Sequence, residues 1–125
     1  MQWPDARVAR LATVDARARP HVVPICFVVD GDTVYTAVDE KPKRTRALKR
    51  LRNVEANANV ELLVDHYDED WSRLWWVRVR GTARVEPLSQ RAGALLAAKY
   101  PQYRERPPSG PMIVITIDER NEWRA

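Results

Sequence analysis

The sequence predicts an α+β fold, a small barrel of six strands joined by early hairpins and accompanied by two main helices. Three observations carry this. Residues 75–85 alternate: Trp75, Val77, Val79, Gly81, Ala83 and Val85 share one face, and Trp76, Arg78, Arg80, Thr82 and Arg84 the other. Residues 8–38 hold three β-prone segments separated by short polar turns. Two more segments place apolar residues at helical spacing, one after Pro42 and one after Ser89.

The first strand is 8–14 (VARLATV). The loop DARAR turns the chain back into a second strand at 21–29 (HVVPICFVV), without the glycine that such loops carry at a left-handed position. Pro24 removes a ladder donor, which puts that stretch at an edge, a bulge or a ligand-facing break. Asp30-Gly31-Asp32 is a turn, and 33–38 (TVYTAV) makes a third strand. Pro42 suits the first turn of a helix reaching about Ala56, with Leu48, Leu51 and Val54 as its core stripe. Residues 60–64 (VELLV) form the fourth strand, and an acidic loop, 65–70, leads to the alternating fifth. Gly81 marks a bulge or bend of the kind that curls a sheet. The second helix spans about 89–99, with Ala92, Leu95, Leu96 and Lys99 on one side. A proline-rich loop, 104–111, precedes the last strand, 112–117 (MIVITI).

A chain of 125 residues is the size of one domain, here 1–125, and buries enough surface for a core without disulfide staples. Cys26 is the only cysteine, which excludes an internal disulfide framework and a cysteine-cluster metal site. No apolar run nears the roughly 20 residues of a membrane span, and the expectation is a soluble, cytoplasmic protein. The formal net charge is +4. Its source is local, because residues 41–52 (KPKRTRALKRLR) hold seven basic side chains and no acid, whereas the other 113 residues carry 14 basic and 17 acidic ones. An anion is the partner such a segment favours.

The inventory of catalytic groups is short. His21 and His66 are the only histidines, and no serine or cysteine sits in a nucleophile motif. Cys26 in its apolar strand reads as an inert thiol, and His66 among Asp65 and Asp68 as an exposed loop residue and not a metal ligand. Neither a Walker loop nor a GxGxxG fingerprint is present. If the protein is an enzyme, a bound cofactor supplies the reactive atoms and no side chain is assigned a catalytic role. The basic segment suits phosphates or carboxylates. It also reads as a solvated face, or as a nucleic-acid contact lacking any readout helix. Trp71, Trp75, Trp76 and Trp123 exceed what a core of this size needs, which points to a buried interface. The period of two sends Trp75 and Val77 into the barrel and Trp76 and Arg78 to the polar face.

The run ARLATVDARARPHVVPICFVVDGDTVYTAVDEKPKR, together with DHYDEDWSRLWWVRVRG, resembles the pyridoxamine 5′-phosphate oxidase-like proteins of the flavin-type split β-barrel, and within them an actinobacterial branch of F-420-dependent oxidoreductases. The resemblance implies a six-stranded split β-barrel and a homodimer with a cofactor cleft at its interface. Val23, Pro24, Ile25 and Cys26 would line the cofactor ring, and Tyr35 and Thr36 with Lys41, Lys43, Lys49 and Arg50 would hold its phosphate-bearing tail. Trp76 and Arg78 would face the cleft or the partner subunit. The implied cofactor is the deazaflavin F-420, with FMN as the alternative. The implied role is hydride transfer to or from a small organic molecule, or cofactor binding without turnover, and neither nucleic acid nor membrane is an expected partner. This sequence departs from the pattern at Ala18, where relatives carry the hairpin glycine, and in having only residues 1–7 where relatives carry a helix before the first strand. At Ala18 the loop either accepts a cost of about 1 kcal/mol or takes another shape.

Overall fold

A computed structural model describes residues 2–38 and 45–125, with the backbone alone for 45–48. Seven strands, β1 (Ala9–Val14), β2 (Pro20–Ile25), β3 (Val28–Asp30), β4 (Thr33–Ala37), β5 (Asn59–His66), β6 (Trp75–Pro87) and β7 (Pro111–Arg124), form one antiparallel sheet in the order β2-β1-β5-β6-β7-β4-β3. Three α-helices accompany it among the described residues: α1 (Thr45–Ala56), α2 (Gln90–Lys99) and the short α3 (Pro101–Glu105). The fold is α+β.

The count of strands corrects the expected six. What the sequence shows as one apolar run, 21–29, is two strands, because the chain leaves the ladder at Cys26 and Phe27. Side chains satisfy the backbone groups freed there. The Thr36 hydroxyl donates to the Cys26 carbonyl at 2.7 Å, and the Phe27 amide donates to the Tyr100 hydroxyl at 3.0 Å. Lys99 Nζ donates to the Phe27 carbonyl at 2.8 Å and to that of Pro4 at 2.9 Å. A buried polar backbone without such partners would cost a few kcal/mol, so Thr36, Lys99 and Tyr100 are what permit the break. Pro24 lies in β2, at the sheet edge, where its missing N–H costs no ladder bond.

The third helix is a second correction. The sequence signals a loop from 104, but Pro101 opens a further helical turn whose N-cap is Tyr100. Ser89 caps α2 by accepting the Ala92 amide at 3.1 Å, and Ala92 and Leu96 are buried beneath it. Pro42, the expected start of α1, lies outside the described residues, as does the side chain of Leu48. Leu51 and Val54 of the same stripe pack on the core. That core holds Leu11, Phe27, Val34, Leu62, Val64, Val79, Ile113 and Ile115, each essentially buried, with Trp3 stacked 6.1 Å from Phe27.

Along β6, Val77 and Val79 are buried and Trp75 packs against them, while Arg78 lies over the Trp76 ring at 5.4 Å on the other face. The alternation therefore runs as its pattern predicts. The expected irregularity at Gly81 is present, but the extra residue is on the facing strand. Arg80 pairs with Glu119 and Gly81 with Ile117, leaving Asp118 unpaired. Beyond it β7 continues to Arg124, seven residues past the predicted end, held by its register with β6.

At the first hairpin Ala18 adopts φ 64°. The loop keeps its left-handed residue and bears the strain, stabilised by Asp15 Oδ1, which accepts the amides of Arg17 at 2.8 Å and Arg19 at 2.9 Å. An Ala18→Gly substitution is expected to raise stability by about 0.5–1 kcal/mol, the relief of Cβ strain exceeding the added freedom of the unfolded chain. Urea denaturation checks it; an unchanged or lowered midpoint at equal slope contradicts it.

Candidate functional site

Among the described residues, two of the three side chains with a buried, unbonded polar atom, His21 and Arg50, lie where the β1–β2 hairpin meets α1; the third, Arg78, is on β6. Asn53, buried in the third turn of the helix, donates from Nδ2 to the buried Thr13 hydroxyl of β1 at 3.0 Å. That bond fixes which face of α1 meets the sheet. Lys49 and Arg50 precede Asn53 by four and three residues, so they share this face one turn earlier. On the sheet side, His21 of β2 pairs in register with Thr13 and, with Val23 and Ile25, belongs to the inward face of its strand.

The electrostatics of this corner are unbalanced. Lys49 Nζ lies 3.5 Å from Asp15 Oδ2. The hairpin amide of Arg19 is the main reason why the Asp15 carboxyl stays below the usual carboxylate range, helped by Arg17 and Lys49 against partial burial. Arg50 has no such partner: its Nε is buried without a hydrogen bond, and among the described residues no carboxylate reaches ion-pair distance. Burial pulls the Arg50 guanidinium below its ordinary value, opposed by Tyr103. His21 Nδ1 is also buried without a hydrogen bond. Its imidazole is pushed below 6.5, first by burial and then by the charges of Lys49 and Arg50, with Asp15 pulling the other way. A hollow of about 590 Å³ on the Lys49 side of this corner is bounded by Asp15, Arg17, Lys49, Arg52, Asn53 and Glu55; Arg50 and His21 do not line it. A partly buried cation that finds no counter-charge among the described residues gains from an anionic ligand, and phosphoryl or carboxylate oxygens match these donors.

The residues named from the sequence fall into several places. Lys49 and Arg50 come together beside His21. Lys41 and Lys43 lie outside the described residues. Val23 and Ile25 face the core, Pro24 faces outward, and Cys26 is half-buried in the break. Tyr35 sits under α2 with its hydroxyl 3.4 Å from Asp30, whose carboxylate also takes a two-point contact from Arg91 at 2.7 and 3.0 Å. Thr36 is buried and its hydroxyl is committed to Cys26. Trp76 and Arg78 lie on the outer sheet face, where Arg78 Nε is 3.8 Å from Glu61, too far for a hydrogen bond. His66 is exposed as expected, but it ends β5 and is not in a loop; it pairs with Trp75 and stacks on its ring at 6.2 Å. Sequence reasoning assigned no role to His21. The signal was its parity: it alternates with Val23 and Ile25 on a strand whose inward residues are otherwise apolar.

The family model for pyridoxamine 5′-phosphate oxidase matches residues 2–124. The chain belongs to that family. Among curated protein sequences none matches. Solved structures of similar fold include the FAD-binding protein from Mycobacterium smegmatis, 24% identical, with a TM-score of 0.64 over 98% of this chain and 90% of that one. An F420 reductase is 22% identical, with a TM-score of 0.69 over 95% of this chain and 93% of its own. HutZ, the heme storage protein from Vibrio cholerae, is 16% identical, with a TM-score of 0.66 over 94% and 85%. These likenesses show that the fold is shared. For this member of the pyridoxamine 5′-phosphate oxidase family, no helix among the described residues is long and apolar enough to cross a membrane.

Proposed function

We propose that this protein is an oxidoreductase of the flavin type that holds the phosphate-bearing part of F-420 at Arg50 and Lys49, in a cleft completed by a second copy of the chain. One observation carries the reading: half-buried Arg50, next to Lys49 on α1, has a buried Nε without a hydrogen bond. A phosphodiester there gives Arg50 the acceptor it lacks, each charge-assisted bond contributing roughly 1.5–3 kcal/mol. When bound, the deazaflavin ring supplies the carbon that accepts or donates a hydride. The chain's part is to anchor the anionic tail, orient the ring and exclude water, and none of this requires a nucleophilic side chain. The substrate is a small organic molecule.

The split barrel belongs to this reading. Its support is that β2 and β3, at opposite ends of the strand order, are joined by Cys26 and Phe27 alone, which brings the sheet round on itself. FMN is the second reading, favoured by the compactness of the described cluster, where Lys49, Arg50 and His21 suit a single phosphate. F-420 stands first because seven basic side chains in 41–52 exceed what one monoester needs, and the resemblance points the same way.

Fluorescence titrations of F-420 and FMN, side by side and at two salt concentrations, decide between the two. Arg50→Ala is expected to weaken the bound cofactor about tenfold or more while leaving thermal stability unchanged or raised, since no described carboxylate pairs with the half-buried guanidinium it removes. Lys49→Ala is expected to cost less, because Asp15 already engages that ammonium. Wild-type affinity in Arg50→Ala would sink the site. Tighter binding of FMN than of F-420 would move the assignment to FMN.

A further inference from the structure

We infer that His21 is the proton-coupled third donor of this anion site: as a phosphoryl group settles against Arg50 and Lys49, Nδ1 takes up a proton and donates to it. The inference rests on the reading of Arg50 and Lys49 as the anchor for the cofactor's phosphate. It adds a proton linkage at His21 that the reading does not contain.

The geometry comes first. Two polar nitrogens are buried without hydrogen bonds at one corner, Arg50 Nε from the helix and His21 Nδ1 from the strand. The Asn53–Thr13 bond and the Thr13–His21 register hold their elements together. A buried polar atom left unbonded costs about 1–3 kcal/mol, and one ligand bearing several oxygens can satisfy both nitrogens together. A neutral imidazole offers an anion one N–H and no net charge. Protonation turns both ring nitrogens into donors.

The charges around His21 set the sign of the linkage. From the hairpin it faces Asp15, and from α1 it faces Lys49 and Arg50. In the free protein burial and the two cations hold the imidazole below 6.5, so it is neutral at pH 7. An anion cancels the two positive charges and gives the N–H an acceptor, and both effects raise the imidazole's value in the complex. Binding therefore takes up a proton between the lowered free value and the raised bound value. It is strongest below that window and weakens as pH rises through it.

Because the chain has only two histidines, imidazole NMR reads the linkage directly, with His21→Gln assigning the signals and His66 as internal control. The pH titration is run on the protein alone and with sulfate, FMN and F-420 in separate arms. Sulfate carries a fixed charge across the range and isolates the protein's own titration; the other two arms separate a monoester from a phosphodiester. The expected result is that each arm whose ligand binds raises the His21 midpoint by about one pH unit, an affinity ratio of about tenfold between protonated and neutral forms. His66 should stay in place. His21→Gln should match wild type for sulfate at pH 8 and bind more weakly at pH 5.5. Binding that depends on Arg50 with an unmoved His21 midpoint would overturn the inference and leave the anchor reading intact. Binding indifferent to Arg50→Ala would overturn both.

Discussion

A Leu63→Asp chain is expected to run as a 14.5 kDa particle where the wild-type chain runs at twice that mass. The outer sheet face is the reason. Across β2, β1, β5, β6 and β7 the register aligns Pro24, Arg10, Leu63, Arg78 and Asn121 in one row. Val22 at 60% exposure, Leu63 at 39% and Trp123 at 44%, with Trp76 opposite Trp123, give this face an apolar surface interleaved with Arg10, Glu61, Arg78 and Arg80. Large aromatics beside arginines at an exposed sheet face match the composition of protein interfaces, and a two-fold axis lets each charge meet its complement on the other copy. We propose this face as the homodimer contact, with at least about 1,000 Å² buried in total. An acid at Leu63 would sit between Arg10 and Arg78 in its own row, which keeps the protomer folded while desolvating a charge in the dimer. Light scattering at micromolar concentration checks it. A monomeric wild type removes the dimer, and a dimeric Leu63→Asp moves the contact elsewhere.

Gly81→Ala is expected to cost about 3 kcal/mol, roughly 12 °C in Tm for a chain of this size. A Cβ at this position would lie 2.6 Å from Ile115 Cγ2 and 2.7 Å from the Thr116 carbonyl oxygen. The first contact is with a buried side chain and the second with backbone, so neither yields cheaply. Relief would mean parting β6 from β7 beside the bulge, in the longest ladder of the sheet. Urea denaturation with an intact slope measures the cost. A loss under 1 kcal/mol would mean that the two strands can separate there without penalty.

The parts of this fold legible in the sequence are those where one physical pattern dominates. The alternation along β6 and the stripe of Leu51 and Val54 reflect burial against a single face, and the turn at Gly31 reflects a backbone position at φ 65° that favours glycine. Three features escaped because their causes are distant in the chain. The break at Cys26 and Phe27 lies inside nine β-prone residues and is stabilised by Thr36, Lys99 and Tyr100. The tail of β7, DERNEWR, carries no strand-like apolar pattern, and its conformation comes from the β6 ladder. Ala18 keeps a conformation its side chain disfavours because Asp15 binds two hairpin amides. In the candidate site, the charge run pointed to Lys49 and Arg50. The importance of His21 depends on register with Thr13 and on what α1 lays over it, and neither is written locally.

The single unpaired residue of β7 has a consequence for how one strand serves two surfaces. A strand's side chains carry a phase, odd positions to one side and even to the other, and Asp118 resets it. Before the interruption Ile113, Ile115 and Ile117 share the inward side with Val85, Ala83 and Gly81. After it, the even residues Arg120 and Glu122 sit opposite inward-facing Val79 and Val77, and the odd residues Asn121 and Trp123 pass to the outside beside Arg78 and Trp76. Trp123 is six residues beyond Ile117, an even step that in an uninterrupted strand would keep both on the same side. One residue of slippage thus lets a single continuous strand supply isoleucines to the interior and a tryptophan to the exterior.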